Sequence, residues 1–185
     1  DEQVAEGAFD QPVAFDGKRW ILAKGSAAVT AAAEGGALKV KVARGGGEFF
    51  PKLFRRVAVR KDTPYTVSFK VRRTQGEGNA TLGFAVADAQ GGWRPLGAHQ
   101  TITVGKAWQP HSVAFIAADT SDKAEIQLTR FPAGVFEIDD FSFRSGAVTA
   151  FDEAARIETA SVPVLRSRDF APPQARADFT RFLWD

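Results

Sequence analysis

An all-β sandwich is the fold class that the sequence predicts, and three observations predict it. Apolar and polar residues alternate along several short stretches, as on strands with one face in a core and the other in water. The 185 residues include 16 Phe and 4 Trp, and aromatic residues favour strands. Segments rich in Gly, Pro, Asn and Asp separate the stretches at spacings of about 8 to 12 residues, which is typical of a sandwich.

The alternation is clear around Val67, Phe69 and Val71, which are separated by polar residues. The same pattern, with short apolar runs, predicts strands at residues 38–42, 49–59, 66–72, 81–87, 100–104, 111–117, 125–129 and 135–144. Turns are predicted between them at residues 44–47, 61–64, 75–79, 90–92, 119–122 and 132–134. No helix of core-forming length is predicted within residues 1–147.

Most aromatic residues fall at inward positions of these strands. Trp20, Tyr65 and Trp108 are predicted to belong to the core. Phe49 and Phe50 are adjacent, so a flat strand would send them to opposite faces of its sheet. The sequence leaves open which of the two reaches the outer face.

The composition changes after Ser145-Gly146, which predicts a sandwich domain at residues 1–147 and an extension at 148–185. Residues 149–159 could form a short helix, and the proline-containing residues 161–174 are interpreted as a linker. The aromatic residues of the end of the chain, 175–185, are expected to dock, either on this sandwich or on a neighbouring domain.

The composition excludes several classes of site and protein. The chain has no Cys, which excludes thiol catalysis, disulfides and Cys-ligated metals, and its two His exclude a multi-histidine metal site. No apolar run approaches the ~18 residues that span a bilayer. The chain begins Asp1-Glu2-Gln3 without Met, and we expect an exported product, either secreted or periplasmic.

Five elements in order resemble the carbohydrate-binding modules of the family 4/9 type, which are galactose-binding-like β-jelly rolls. These elements are Gly7–Asp10 followed by Trp20, Gly35–Val40, Pro64–Arg72, Trp108 at the start of a strand, and Phe136–Phe143. The resemblance covers about residues 7 to 144. It implies a jelly roll that binds an oligosaccharide or polysaccharide without catalysis and is often attached to a catalytic domain that degrades glycans.

The resemblance also implies a structural calcium ion. Asp10 and Asp139 are the positions that match the acidic ligands of the related modules. Calcium takes several oxygen ligands, so backbone carbonyls and water would complete its coordination. A salt bridge from Asp139 to an Arg, or a strand end at the surface, are the alternatives.

The predicted groove is small and polar rather than aromatic, because Lys70 and residues such as Gly83 and Ala85 occupy its outward positions, and this disfavours a neutral, cellulose-like ligand. Residues 39–73 carry eleven basic side chains against Glu48 and Asp62. A basic surface attracts polyanions, so we predict a polar or anionic polysaccharide. Lys70, Arg72 and Gln127 are predicted to hold this polysaccharide, with Trp93 stacking on a sugar. The alternative for Trp93 is packing over the rim of the sandwich. The alternative for the basic residues is a solvated sheet face with charged, protected edges.

An enzyme and a nucleic-acid-binding protein are not predicted. Glu137-Ile138-Asp139 resembles the start of the Glu-x-Asp-x-x-Glu signature of jelly-roll glycosidases, but Ser142 and Phe143 stand where the second Glu would fall. Retaining hydrolysis needs two carboxyls about 5 to 5.5 Å apart. The basic stretch has no aromatic motif of the kind that binds RNA. The remaining alternative is an assembly module that packs against another domain of an envelope protein.

Overall fold

The computed structural model describes residues 4, 7–10, 15, 20–89 and 92–146. These residues form strands and turns, and no helix occurs among them. The strands are β1 (Trp20–Ala23), β2 (Ala28–Glu34), β3 (Ala37–Arg44), β4 (Lys52–Val59), β5 (Pro64–Gln75), β6 (Ala80–Asp88), β7 (Arg94–Val104), β8 (Gln109–Ile116), β9 (Ser121–Thr129) and β10 (Gly134–Ser145). The predicted all-β class is confirmed.

The strands form two five-stranded antiparallel sheets. The first sheet has the order β2-β3-β10-β5-β8, and the second has the order β1-β4-β9-β6-β7. From β7 onward the chain changes sheet at every connection, so β8 and β10 join the first sheet while β9 joins the second. The two sheets pack as a sandwich, which buries the inner face of each one.

The core lies between the sheets and follows the predicted alternation. Val67, Phe69 and Val71 of β5 are at most 2% exposed, and Leu82 and Phe84 of β6 are fully buried. The rings of Phe69 and Phe84 stack across the sandwich with centroids 5.8 Å apart. Burial of such side chains supplies most of the free energy that favours folding.

The segment around Gly7 is held against β10 by close backbone contact. The Phe141 N–H donates a hydrogen bond of 2.9 Å to the Gly7 carbonyl. A Cβ at residue 7 would lie 1.6 Å from the Phe141 carbonyl oxygen, so only glycine fits there. Trp20 packs between Phe9 and Phe141, with ring centroids 5.6 and 4.9 Å from its own.

Arg73 joins two loops at one end of the sandwich. Its guanidinium donates hydrogen bonds to the carbonyl oxygens of Glu77 and Gly78 in the β5–β6 turn. It also donates one of 2.7 Å to the Ala133 carbonyl before β10. The side chain is 7% exposed and lies over the ring of Phe136, so it is a structural cation rather than part of a basic surface.

The prediction that Trp108 belongs to the core is wrong, whereas Trp20 and Tyr65 are buried as predicted. Trp108 is half-buried and precedes β8. The guanidinium carbon of Arg72 lies 4.4 Å from its ring centroid, and Lys70 Nζ lies 5.3 Å away. Lys70 and Arg72 alternate with the buried Val71 and therefore point outward, so Trp108 covers the outer face of the first sheet.

Predictions for the extension fall outside the described residues. These are the short helix at 149–159, the linker at 161–174 and the docking end at 175–185. In the part of the chain that the structure describes, no helix is long and apolar enough to cross a membrane.

Candidate functional site

A groove of 460 Å³ lies on the outer face of the second sheet. Its floor is formed by Gly83 and Ala85 of β6 and by Gln127 and Thr129 of β9. Aromatic side chains from two separate segments form the walls. The arrangement combines flat apolar surfaces with polar groups between them, which is the usual composition of a binding site for a small or extended ligand.

The floor is low because small residues face outward at its centre. The strand register pairs Gly83 with Thr129 and Ala85 with Gln127. A Cβ at residue 83 would lie 2.5 Å from Thr129 Oγ1, so a larger side chain there would displace the threonine. The small residues predicted at the outward positions of β6 line the groove, but the prediction that the groove is polar rather than aromatic is wrong, because Phe49, Phe50 and Trp93 line it as well.

One wall consists of Phe49 and Phe50, which are 50% and 36% exposed. Both precede β4 in an irregular segment, so the alternation of a flat strand does not separate them. The guanidinium carbon of Arg130, another lining residue, lies 5.2 Å from the Phe49 ring centroid. Both phenylalanines therefore line the groove, which answers the question that the sequence left open.

The other wall consists of Trp93 and His99. Trp93 is 52% exposed, and its ring meets the His99 imidazole edge-on at a centroid distance of 5.5 Å. The adjacent Arg94 forms ion pairs with two carboxylates. Its Nη2 lies 3.3 Å from Asp88 Oδ2, and its Nη1 pairs with Asp119. These two ion pairs join the start of β7, next to Trp93, to Asp88 at the end of β6 and to Asp119 in the loop between β8 and β9.

A buried polar cluster on β9 includes the floor residue Gln127. Glu125 and Gln127 occupy outward positions of β9 but are only 4% and 3% exposed. Glu125 Oε2 accepts a hydrogen bond of 2.9 Å from Lys52 Nζ and one of 2.8 Å from Gln127 Nε2. The Lys52 ammonium also lies 4.4 Å from the Phe54 ring centroid. The carboxylate therefore binds a cation and an amide that both line the groove.

The four residues predicted to bind a glycan do not form one site. Trp93 and Gln127 both line the groove of the second sheet. Lys70 and Arg72 belong to β5, which lies in the first sheet, and they point to the outer face of that sheet. The prediction of a single site is therefore corrected, because the sandwich places β5 and β9 in different layers.

Lys70 and Arg72 are paired with carboxylates of the neighbouring strand β10. Lys70 Nζ lies 2.9 Å from Asp140 and 3.2 Å from Asp139, and hydrogen bonds to these two carboxylates raise the pKa of Lys70. Arg72 Nε donates a hydrogen bond of 2.7 Å to Glu137. The salt bridge considered for Asp139 forms, with lysine in place of arginine as the partner.

Many cations of the basic stretch at residues 39–73 are paired in the same way. At least six of its eleven basic side chains form ion pairs with carboxylates of the described residues. The pairs join Lys39 and Lys41 to Glu34, Lys52 to Glu125, Arg60 to Asp122, Lys70 to Asp139 and Asp140, and Arg72 to Glu137. Hydrogen bonds from Lys39 and Lys41 lower the pKa of Glu34. These pairs favour the alternative interpretation, a charged and solvated sheet face.

The two predicted calcium ligands lie near the turn between β2 and β3. A Cβ at Gly36 would lie 3.6 Å from Asp10 Oδ1. Asp139 directly follows Ile138, which pairs with Leu38 just after that turn. Both carboxylates are therefore at the same end of the first sheet.

The side chains of the described residues provide too few ligands to complete the coordination of a calcium ion. The Asp139 carboxylate is held by Lys70, and its Oδ1 accepts a hydrogen bond of 2.8 Å from the Asp140 N–H. No group of three or more His, Cys, Asp or Glu within the described residues could hold a metal ion. Backbone carbonyls would have to supply most ligands. The calcium ion stays a prediction of the resemblance.

The comparisons with known proteins are informative for the fold. No family model matches the sequence, and no curated protein matches it. A solved family 4 carbohydrate-binding module has a TM-score of 0.67 with 16% identity, over 78% of this chain and 100% of its own. The fold is that of a carbohydrate-binding module.

Two further solved structures share this fold. The N-terminal cellulose-binding domain of β-1,4-glucanase C from Cellulomonas fimi has a TM-score of 0.55 with 17% identity, over 70% of this chain and 90% of its own. The Clostridium thermocellum xylanase 10B structure, with its CBM22-1 and GH10 modules and xylohexaose, has a TM-score of 0.55 with 18% identity. That match covers 79% of this chain and 29% of the xylanase chain. At these identities the likeness establishes the jelly-roll fold of these modules.

Proposed function

We propose that this chain is a non-catalytic carbohydrate-binding module that holds a polysaccharide in the groove of the second sheet. The observation that carries the proposal is a groove lined by exposed aromatic rings from two separate segments, Phe49 and Phe50 before β4 and Trp93 before β7. Aromatic rings stack on the apolar faces of sugars, and these rings are unusually exposed for their size. Gln127 and Thr129 supply hydrogen-bonding groups to the floor between them.

The bound chain is proposed to be polar and uncharged. Of the groove cations, Lys52 is paired with the buried Glu125 at 2.9 Å, and Arg130 lies 3.9 Å from Glu48. Lys70 and Arg72, which would have attracted an anionic chain, belong to the other sheet and are paired. Cellulose and xylan derivatives are the first candidates, because the similar modules include a cellulose-binding domain and a xylanase bound to xylohexaose.

The module is proposed to be ancillary to a glycan-processing protein and to act outside the cytoplasm. The similar CBM22-1 module is part of a xylanase that also carries a GH10 module. Cellulose and xylan are polysaccharides found outside the cell, so export of the protein follows from the proposed ligand. Periplasmic and fully secreted locations are both consistent with it.

Affinity gel electrophoresis tests the proposal. Wild-type protein is run in gels containing hydroxyethylcellulose, soluble xylan, alginate or heparin, together with Trp93→Ala and the control Ile116→Ala. Ile116 is 64% exposed and lies on β8 of the first sheet, so its removal takes away apolar surface far from the groove. We expect an uncharged polymer to retard the wild type and the control but not Trp93→Ala.

The outcomes separate the competing functions. Retardation by alginate or heparin that disappears in high salt would replace the uncharged ligand by an anionic one, because salt screens charge interactions. Absence of retardation by every polymer would overturn the proposal and favour the assembly module. Equal retardation of the wild type and Trp93→Ala would place the glycan site outside this groove.

A further inference from the structure

Glu125 is a buried carboxylate on the outer face of the second sheet, where side chains are expected to be exposed to solvent. Residues 125, 127 and 129 of β9 alternate with the core residues Ile126 and Leu128, so their side chains point outward. Glu125 is nevertheless only 4% exposed. A buried carboxylate is unfavourable unless it is paired and hydrogen-bonded, so its position depends on its partners.

Both partners of Glu125 line the groove. Lys52 Nζ and Gln127 Nε2 each donate to Glu125 Oε2, at 2.9 and 2.8 Å. An ionised carboxylate accepts hydrogen bonds and cannot donate them, whereas an amide has one donating and one accepting end. The amide nitrogen of Gln127 therefore faces Glu125, so the carbonyl oxygen is the group that Gln127 can offer to a ligand in the groove.

We propose that Glu125 is a positioning residue that fixes the orientation of Gln127 and Lys52 for glycan binding. This inference rests on the proposed function of the groove. Glu125 makes the floor present the acceptor oxygen of Gln127, which receives a hydrogen bond from a sugar hydroxyl. It also holds the Lys52 ammonium against Phe54, so that the cation does not enter the path of an uncharged chain.

A double-mutant cycle measures this role. We expect Glu125→Ala to weaken the affinity for the polymer that binds the wild type by about tenfold, the size typical of one misplaced hydrogen bond. Gln127→Ala should cause a similar loss, and the double variant should bind no more weakly than Gln127→Ala alone. Additive losses would show that Glu125 does not act through Gln127.

Rescue by the conservative variant separates positioning from a structural role. Glu125→Gln keeps a carbonyl oxygen that can accept both hydrogen bonds, so we expect it to retain most of the wild-type affinity. Glu34→Ala is the control, because Glu34 also accepts hydrogen bonds from lysine, here Lys39 and Lys41, but lies exposed on the first sheet. Loss of affinity in Glu34→Ala would indicate that these variants act through general destabilisation.

The orientation of the amide can be followed without any ligand. In ¹H–¹⁵N NMR spectra the side-chain NH₂ pair of Gln127, assigned by its absence in Gln127→Glu, should give two well-separated proton signals in the wild type. In Glu125→Ala the pair should move to the position of solvent-exposed glutamines. Unchanged signals in Glu125→Ala would overturn the positioning role.

The two proposals fail in different ways. If the wild type binds no polymer, the proposed function fails, and the NMR signals still report whether Glu125 orients Gln127. If the wild type binds and Glu125→Ala binds equally well, the positioning role is overturned while the proposed function stands.

Discussion

The indole of Trp93 meets the imidazole of His99 edge-on, with ring planes at 68° and centroids 5.5 Å apart. His99 therefore supports the side of the most exposed tryptophan in the described groove. We expect His99→Ala to loosen this ring and to weaken glycan affinity several-fold, because such ring contacts are worth about 0.5 to 1.5 kcal/mol. Isothermal titration with the bound polymer measures the change. His99→Phe, which keeps an aromatic edge, should bind like the wild type, and equal losses in both variants would contradict a supporting role.

Arg94 is expected to hold the Trp93 segment through its ion pairs with Asp88 and Asp119. Arg94→Ala should reduce glycan affinity while leaving the free energy of unfolding within about 1 kcal/mol of the wild type, since exposed ion pairs add little stability. Urea unfolding and titration of the polymer together check this expectation. Arg60→Ala, which removes an exposed ion pair to Asp122 away from the groove, is the control. A loss of stability without a loss of affinity would show that Arg94 does not position Trp93.

His111 is expected to make the stability depend on pH. It is stacked on Phe69 at 5.4 Å, its Nε2 is buried without a hydrogen-bond partner among the described residues, and burial lowers its pKa. The unfolded chain then binds a proton at a higher pH than the folded protein does. Stability is therefore complete above the ordinary pKa of about 6.5 and falls as the pH decreases below it.

The urea midpoint between about pH 7.5 and about pH 5.5 measures this effect. We expect the wild type to lose more stability over this interval than His111→Phe, which has no group that titrates there. His99→Phe controls for the other histidine. Parallel pH profiles for the wild type and His111→Phe would contradict the assignment.

Arg73→Met is expected to destabilise the fold by about 1 to 3 kcal/mol, because the hydrogen bonds from the buried guanidinium to backbone carbonyls of two loops are lost. The affected carbonyls are those of Glu77, Gly78 and Ala133. Methionine keeps most of the apolar stem, so the change isolates the guanidinium. Thermal and urea unfolding measure the loss. Arg44→Met, at the exposed end of β3, should be nearly neutral, and similar losses in both variants would refute a specific role of Arg73.

Calcium is expected to raise the thermal unfolding midpoint if Asp10 and Asp139 hold it as the resemblance implies. An ion that binds only the folded state stabilises that state by RT ln(1 + L/Kd), where L is the free ion concentration. Differential scanning fluorimetry in calcium, in magnesium and in excess EGTA measures the shift. We expect the calcium shift to disappear in Asp10→Asn and Asp139→Asn and to persist in the control Asp122→Asn. A shift that survives both substitutions would place the ion elsewhere.

Local sequence patterns predicted most of the strands, because one buried face imposes a period of two on β5, β6 and β9. They could not predict which distant strands become neighbours. Lys70 and Asp139 are far apart in sequence, and only the pairing of β5 with β10 makes them partners. The same limitation explains why Lys70 was grouped with Gln127, which lies in the other layer.

The groove walls were harder to predict than its floor. The small residues of β6 lie on a regular strand, so their outward direction follows from alternation. Phe49 and Phe50 lie in an irregular segment before β4, where alternation has no meaning. A tryptophan at the start of a strand predicts a core position, which is wrong for Trp108. Its ring is instead half-buried on the outer face of the first sheet, where the side chains of Lys70 and Arg72 of β5 pack against it.

The floor and the walls of the groove have different places in the fold. The floor residues belong to β6 and β9, each of which has a hydrogen-bonded neighbour on both sides, while Phe49, Phe50 and Trp93 lie just before β4 and β7. The paired strands of the scaffold and the exposed aromatic surface of the groove are thus supplied by separate stretches of the chain. A library that varies only the two short wall segments could therefore change which polymer is bound on an unchanged scaffold.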